Sequence, residues 1–238
     1  LAVIRVGARE DDLSYERGII KRFEAVGAKV LIKELPLEIS QEELEKVISE
    51  CNRDVNIHGI LLFRPLPKHI DEKKVTELVN PKKDVDCMTM ENYAHTFMQD
   101  GKGYEPCTAR AVIEMLDFYG CDLTGKRVVV IGRSMVVGKP LSVMLQKRNA
   151  TVIMCHTKTE NLAKECREAD IICACAGVAG MVSEDYISEN QIIIDVGINV
   201  VDGNLCGDVD REAGKSAKYV TPVPGGVGTV TTSVLLYT

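Results

Sequence analysis

The stretch RVVVIGRSMVVGKP, residues 127–140, decides the fold. Its apolar run Arg127–Ile131 predicts a buried strand, and Gly132 follows at once. Pro140 lies near the start of a predicted helix over residues 139–148, a position that proline favours. A buried strand, a glycine turn and a helix start form the βα unit of a doubly wound parallel sheet. The stretch therefore predicts an α/β fold.

The same alternation extends in both directions along the chain. Further strands are predicted at 151–155, 170–175 and 192–196, with a helix at 160–168. Upstream, strands are predicted at 2–6, 29–35 and 59–63. Helices are predicted between and after them: one at 12–26, one that begins at Ser40, and one from Asp71 to Asn80. Ser40 and Glu43 have capping-box spacing. Residues 82–106 show little periodicity, which predicts a long functional loop before a helix at 108–119.

Two α/β domains are therefore expected, and the second is a Rossmann-like doubly wound parallel sheet. We assign residues 1–108 and 221–238 to one domain, and residues 109–220 to a domain that binds a dinucleotide. The chain opens on an apolar strand and ends in the apolar stretch SVLLYT. We therefore expect further segments beyond both ends of the 238 residues.

Charge and composition exclude several classes of partner. The net charge of −6 argues against a nucleic-acid surface. No apolar run is long enough to cross a bilayer, so we expect a cytoplasmic protein with no membrane partner. The nine cysteines form no CxxC pair and no zinc-finger spacing. They are interpreted as reduced, mostly buried thiols, and no metal site is expected.

A cofactor site is predicted at the turn after residue 131. Glycine lets the backbone approach a pyrophosphate, and the helix start offers free N–H groups. The spacing is not GxGxxG, so the turn alone also fits a tight βα turn that binds nothing. The next strand ends in Cys155-His156-Thr157-Lys158-Thr159, without the acid that binds the ribose in NAD enzymes. The missing acid favours NADP over NAD, although NAD is still possible. In the alternative interpretation, Lys158 and Arg133 are surface cations that bind no phosphate.

The motifs IGRSMVVGKP, CHTKT, DVGIN and TPVPGGVG occur in this order, after VGAREDDLSY, HGILLFRPLP, NPKKDVD and PCT. Together they resemble the methylenetetrahydrofolate dehydrogenase/cyclohydrolase family over essentially the whole chain. The resemblance implies NADP-dependent oxidation of 5,10-methylene-tetrahydrofolate to 5,10-methenyl-tetrahydrofolate, in the one-carbon metabolism that serves purine biosynthesis. It also implies tetrahydrofolate one-carbon derivatives as ligands, a folate cleft between the domains, and a homodimer. By the family's plan, an N-terminal strand–helix segment and a C-terminal helix lie outside this numbering.

The resemblance also assigns residues to each site. Tyr15 would stack on the folate rings and Asp86 would hydrogen-bond the pterin, so these two are the catalytic candidates. The expected substrate contacts are Tyr15, Ile19, Phe63, Pro65, Asp86, Pro224, Gly225 and Gly226. The expected cofactor contacts are Gly132, Arg133, Ser134, Gly138, His156, Thr157, Ile198 and Thr231.

Two of these positions depart from the family's pattern. Ile19 stands where the family has a lysine four residues after its tyrosine, and Phe63 stands where it has a glutamine. Lys21 lies about 200° around the helix from Ile19, and Arg64 should face away from Phe63 in a strand. The lysine and glutamine support the proton transfers of the cyclohydrolase step. We therefore expect a dehydrogenase with weak or absent cyclohydrolase activity.

Three alternatives stay open. The enzyme is fully bifunctional, with Lys21 or an ordered water in place of the lysine. The chain is an inactive folate- or nucleotide-binding protein. Or it is an unrelated two-domain NADP oxidoreductase, of the shikimate or glutamate dehydrogenase type.

Overall fold

A computed structural model describes all residues from 1 to 238. The chain divides into two compact units, residues 1–105 with 235–238, and residues 106–234. Residues 221–234, which are predicted to belong to one domain with residues 1–108, lie in the second unit. The functional assignment of that segment stays a prediction.

The first unit is built on a three-stranded parallel sheet with the strand order β2-β1-β3. Its elements are β1 Ala2–Val6, α1 Glu10–Glu24, β2 Leu31–Leu35, α2 Gln41–Arg53, β3 Ile60–Leu62, α3 Glu72–Glu77 and α4 Met90–Met98. The central strand β1 is buried along its whole length, as its apolar sequence predicts. All three strands run in one direction, so the loops that follow them lie at one edge.

Local sequence signals fix the helix starts in this unit. Ser40 forms the predicted capping box: its Oγ accepts from the Glu43 N–H at 3.2 Å, and its own N–H donates to the Glu43 carboxylate. The Asp71 carboxylate accepts from the Lys74 N–H at 3.1 Å and caps α3. Both predicted helix starts are confirmed.

The second unit contains a five-stranded parallel sheet with the order β10-β7-β6-β4-β5. Its elements are α5 Cys107–Phe118, β4 Arg127–Ile131, α6 Gly138–Lys147, β5 Thr151–Cys155, α7 Leu162–Arg167, β6 Ile171–Ala174, β7 Ile192–Asp195, β8 Asn199–Val201, β9 Asn204–Cys206, β10 Tyr219–Val220 and α8 Val227–Tyr237. Strands β8 and β9 form a separate antiparallel hairpin. Helix α8 crosses the division between the units.

Both faces of this sheet are covered. Val128 and Val130 pack with α5 and α6 on one face, whereas Val129 and Ile131 pack with α7 on the other. Alternate residues of a strand point to opposite faces, so β4 must be apolar throughout, as its sequence is. The predicted doubly wound α/β class is confirmed.

The prediction of an unstructured loop over residues 82–106 is wrong, because this segment contains α4. The buried residues of α4 are the polar Asn92 and Thr96, whereas Met90, Phe97 and Met98 are exposed. An apolar periodicity is therefore absent even though the helix is present. The sequence analysis also missed α8, whose β-branched and glycine residues have low helix propensity.

No helix of the chain combines the length and the apolar composition that a membrane crossing requires. All nine cysteines are free thiols, and six of them are buried. No group of three or more His, Cys, Asp or Glu side chains lies close enough together to hold a metal ion.

Candidate functional site

Two loops meet at the carboxyl edge of the first unit's sheet, one after β1 and one after β3. The ring of Tyr15 on α1 lies 5.5 Å from the ring of Phe63, measured between centroids, with a tilt of 31°. Phe63 is 6% exposed and is anchored by its N–H, which donates to the Ile4 carbonyl at 2.9 Å. Tyr15 is half-buried. The structure thus brings together two of the predicted substrate residues.

Ile19 lies one turn after Tyr15 and is 0% exposed. The buried face of α1 consists of Asp12, Glu16, Ile19 and Phe23, and the exposed Lys21 is not part of it. Glu16 is held by a buried ion pair with Arg5, whose Nε donates to its carboxylate at 2.9 Å. This pair ties α1 to β1 beneath Tyr15.

Asp86 belongs to a loop that is organised by a second aspartate. The buried Asp84 carboxylate accepts from the N–H groups of Met88 and Thr89, both at 2.8 Å, and from the Asn92 side-chain amide at 2.9 Å. These bonds connect the KDVD segment to the first turn of α4. Sequence reasoning quoted the KDVD motif but assigned no role to Asp84.

The guanidinium of Arg64 lies beside Asp86, with 3.7 Å between Nη2 and Oδ2. Both side chains are largely buried. The carbonyl of Arg64 accepts from Arg9 at 3.1 Å, and its peptide bond to the exposed Pro65 is cis. Strand alternation was used to place Arg64 away from Phe63, but β3 ends at Leu62, so the alternation does not extend to Arg64. Sequence reasoning therefore missed this neighbour of Asp86.

In the second unit, the turn after β4 brings backbone groups unusually close together. Gly132 has φ 123°, and a Cβ at this residue would lie 2.3 Å from the carbonyl oxygen of Cys175. A Cβ on Gly138 would lie 2.1 Å from the Gly132 oxygen. Only glycine fits at either position. The exposed Arg133 and Ser134 lie between them, and the Ser134 Oγ accepts from the Val137 N–H at 3.1 Å.

The loop after β5 presents the CHTKT segment. The His156 Nδ1 accepts from the Lys158 N–H at 3.1 Å. The His156 N–H donates to Thr159 Oγ1 at 2.8 Å. Thr157 and Lys158 are exposed, and the CHTKT segment contains no acidic residue. A 2′-phosphate fits these donors better than a bare ribose diol does.

The remaining predicted residues follow β7 and β10. Ile198 is exposed, whereas Thr231 is buried and its hydroxyl donates to the Val227 carbonyl at 3.0 Å within α8. In the PVPGGVG loop, Pro224 and Gly225 are exposed and Gly226 is buried. A Cβ on Gly226 would lie 2.4 Å from the Pro222 oxygen, so this loop also depends on glycine.

Two aspartates at this edge were not predicted as site residues, Asp195 at the end of β7 and the fully buried Asp208. Burial raises the pKa of the Asp195 carboxyl, although the backbone N–H groups that it accepts act in the opposite direction. The only sequence signal is the pair of motifs DVG and GDV, which are separated by the β8–β9 hairpin.

All five parallel strands of the second unit place their following loops at one edge. Strand β4 lies between β5 and β6, so the chain winds in opposite directions from it. Such a switch point opens a crevice where nucleotides bind in doubly wound folds. The glycine turn borders this crevice, and α6, whose N-terminus is the positive end of its helix dipole, begins there at Gly138.

Comparison with known proteins agrees with this architecture. Residues 106–238 match the NAD(P)-binding domain of tetrahydrofolate dehydrogenase/cyclohydrolase, and residues 1–86 match its catalytic domain. The bifunctional protein FolD of Clostridioides difficile (strain 630) is 50% identical over 237 residues, which cover 99% of this chain and 83% of that protein.

Solved structures give the same result. The bifunctional methylenetetrahydrofolate dehydrogenase/cyclohydrolase FolD from Campylobacter jejuni is 40% identical with a TM-score of 0.95, over 99% of this chain and 84% of that one. The Trypanosoma brucei enzyme, complexed with NADP cofactor and inhibitor, is 36% identical with a TM-score of 0.94, over 99% and 83% of the two chains. An unrelated oxidoreductase is thereby excluded, and the chain belongs to the tetrahydrofolate dehydrogenase/cyclohydrolase family.

Proposed function

We propose that the protein is an NADP-dependent methylenetetrahydrofolate dehydrogenase with weak or absent methenyltetrahydrofolate cyclohydrolase activity. The observation that carries this proposal is the pair of apolar side chains beside Tyr15. Ile19 and Phe63 are both buried, and neither has a proton to give or accept. They occupy the positions where the family has a lysine and a glutamine.

The dehydrogenase step needs no such proton. A hydride leaves the methylene carbon, and the product is a resonance-stabilised amidinium cation, so the residues contribute mainly by positioning. When bound, NADP supplies the hydride acceptor. Tyr15 would stack on the folate rings, and Asp86, which lies beside the Arg64 guanidinium, would accept hydrogen bonds from the pterin. The apolar surface of Phe63 would keep water from the cation.

The cyclohydrolase step is different, because water attacks the cation and the ring then opens. Both events move protons, and loss of an acid–base group typically costs about 10²–10⁴-fold in rate. Arg64 does not replace the lysine, because a guanidinium stays protonated and cannot act as a base. Lys21 is exposed and lies outside the buried face of α1.

The second candidate function is a fully bifunctional enzyme in which Lys21 or an ordered water replaces the lysine. The observation that favours it is that relatives 50% identical to this chain carry the name bifunctional FolD. An inactive binding protein is the third candidate. NADP reduction with methylenetetrahydrofolate distinguishes the third candidate from the other two.

NADP fits the edge of the second unit better than NAD does. Gly132 and Gly138 allow a close backbone approach that any Cβ would block, and α6 begins there with the positive end of its helix dipole. Arg133, Thr157 and Lys158 are exposed at the same edge and would hold the 2′-phosphate. NAD remains the alternative cofactor.

A homodimer is part of the proposal. The β8–β9 hairpin exposes Val200, Val201 and Leu205 by 44–58%, an apolar surface that a second copy would cover. We also place the protein in the cytoplasm, where nine free cysteines stay reduced.

The test is the identity of the product. Purified protein is incubated with methylenetetrahydrofolate and NADP, and the folate products are separated by chromatography during the reaction. We expect one methenyltetrahydrofolate for each NADPH, with formyltetrahydrofolate appearing only at the rate of a protein-free methenyl control. Formyl product that appears as fast as NADPH contradicts the proposal and supports the bifunctional alternative. Absence of NADPH supports the inactive alternative.

A further inference from the structure

Asp208 follows the β8–β9 hairpin and is completely buried. Its Oδ2 accepts from the N–H groups of Ala176 at 2.7 Å and Gly177 at 2.9 Å. Its Oδ1 accepts from the Val178 N–H at 2.9 Å and from the Asn199 side-chain amide at 3.0 Å. Three consecutive N–H groups that point at one anion form a backbone nest. Here the nest is filled by a carboxylate of the chain itself.

Asp195 holds Asp208 in place. Its carboxylate accepts from the N–H of Asp208 at 2.9 Å and from the N–H of Val209 at 3.0 Å. The close approach of these two aspartates is possible because Gly197 and Gly207 have no side chain. A Cβ on Gly197 would lie 2.0 Å from the Asp208 Oδ1, and one on Gly207 would lie 1.8 Å from the Asp195 Oδ2.

The loop that Asp208 holds borders the nucleotide crevice. It continues β6, the strand on the far side of the switch point from β5. Cys175, directly before the nest, packs against the turn after β4, since its carbonyl would lie 2.3 Å from a Cβ on Gly132. The end of the second strand, β5 here, receives the ribose of the adenosine half of a dinucleotide. The nicotinamide half would therefore lie on the β6 and β7 side, where Asp208 holds residues 176–178.

We propose that Asp208 is a positioning residue for the nicotinamide half of the cofactor, acting through residues 176–178 and Asn199. This inference rests on the proposed NADP dehydrogenase function. Because the nest already holds a carboxylate, the cofactor's pyrophosphate would bind at the Gly132 turn and the α6 N-terminus instead. The wall opposite that turn is fixed before the cofactor binds, which keeps the hydride acceptor aligned.

Asp208→Asn tests the proposal. An amide places its NH₂ against N–H donors, so at least one of the four hydrogen bonds is lost while the side-chain volume is kept. We expect kcat for NADP reduction to fall about 10–10²-fold, the scale of a small misplacement of reacting atoms. The affinity for 2′,5′-ADP, a probe of the adenosine half alone, should stay within about twofold.

The matched control is Asp210→Asn. Asp210 is exposed and also accepts from two backbone N–H groups, of Glu212 and Ala213, but it does not touch residues 176–178. Its kcat should stay within about twofold of the wild type. If Asp208→Asn does not fold, Asn199→Ala replaces it, because this change removes a single bond to the same carboxylate. It should lower kcat several-fold with 2′,5′-ADP affinity unchanged.

Two results overturn the proposal. One is a folded Asp208→Asn, or Asn199→Ala where that variant is needed, with wild-type kcat and KM for NADP. The other is an equal loss of 2′,5′-ADP affinity and kcat, which indicates general damage to the domain. A wild-type protein that neither binds nor reduces NADP contradicts the proposed function itself, and the cofactor role of Asp208 falls with it.

Discussion

At the scale of single residues, the side chains near Tyr15 determine which of the family's two reactions, hydride transfer or hydrolysis, the site can support. Hydride transfer requires the protein to align the methylene carbon of the folate with the acceptor carbon of the nicotinamide, whereas hydrolysis requires it to move protons. In the proposed function, Ile19 and Phe63 are compatible with hydride transfer, but as apolar side chains they cannot move the protons of hydrolysis. The cation Arg64 lies beside Asp86, and a guanidinium exchanges no proton.

If the proposed function is correct, restoring the family's lysine and glutamine should raise cyclohydrolase activity. In the double variant Ile19→Lys and Phe63→Gln, we expect hydrolysis of methenyltetrahydrofolate to rise about 10²-fold or more, because an acid–base group returns to the site. The measurement is the loss of near-ultraviolet absorbance of methenyltetrahydrofolate. Burial of a lysine at a position with 0% exposure is costly, so the folded state is checked by thermal melting.

Lys21→Ala in the wild-type background is the control for that experiment. It should leave both activities within about twofold, because Lys21 is exposed and outside the buried face of α1. A marked fall in hydrolysis on this change would show that Lys21 works as the bifunctional alternative requires.

The residues of the two sites differ in how well they can be predicted from the sequence. Ile19 and Phe63 are identified by their spacing from Tyr15 and Pro65 within local motifs. Arg64 and Asp208 are not, because their partners lie 22 and 30–32 residues away in the chain and no period connects them. Contacts between loops at a sheet edge require the fold before they can be found.

At the scale of elements, the turn between β4 and α6 should be the most sensitive to substitution. In Gly132→Ala the new Cβ would lie 2.3 Å from a backbone carbonyl at φ 123°, so the turn has to shift. We expect NADP affinity to fall at least about tenfold, measured by calorimetric titration, because the turn and the α6 N-terminus would move away from the pyrophosphate.

Gly125→Ala is the matched control, since this glycine also has a positive φ, 71°, but has nothing within 4 Å of a new Cβ. It lies before β4, at the opposite edge of the sheet. It should cost about 1 kcal/mol of stability and leave NADP affinity unchanged. Equal loss of affinity in both variants would contradict the assignment of the Gly132 turn to the cofactor.

The elements that sequence predicts best are those that pack apolar faces. Strands Ala2–Val6, Arg127–Ile131 and Thr151–Cys155 have the predicted bounds. Helix α4 was missed because it buries Asn92 and Thr96 around Asp84, so a polar network replaces the apolar stripe. Periodicity reports burial of apolar groups and is silent where burial is polar.

At the scale of the whole molecule, the buried thiols should be inert in the native state. Burial raises the pKa of Cys166 and Cys173 to about 12, so at about pH 8 only about one in 10⁴ of these groups is a thiolate. Iodoacetamide should label neither residue until the protein is unfolded, whereas the half-buried Cys206 should be labelled first. Mass spectrometry of the digested protein checks this, and native labelling of Cys173 contradicts the described core.

The proposed dimer is also a property of the whole molecule. Val200 and Leu205 face each other across the β8–β9 hairpin, and both are exposed. Changing both to Asp should convert a dimer to a monomer, because two charges would have to be buried in the interface. Light scattering after gel filtration measures the mass. Val55→Asp, at a valine of the first unit that is 83% exposed, should leave the mass unchanged, and a wild-type monomer would contradict the dimer.

The proposed lack of cyclohydrolase activity can be tested without a second reaction, by giving the protein methenyltetrahydrofolate and no nicotinamide cofactor. The preparation is first shown to reduce NADP with methylenetetrahydrofolate, and the decay of methenyl absorbance is then compared with a protein-free blank. We predict that the two decays coincide, because Ile19 and Phe63 leave no group to move the protons of hydrolysis. A decay clearly faster than the blank, in proportion to protein concentration, would contradict the claim.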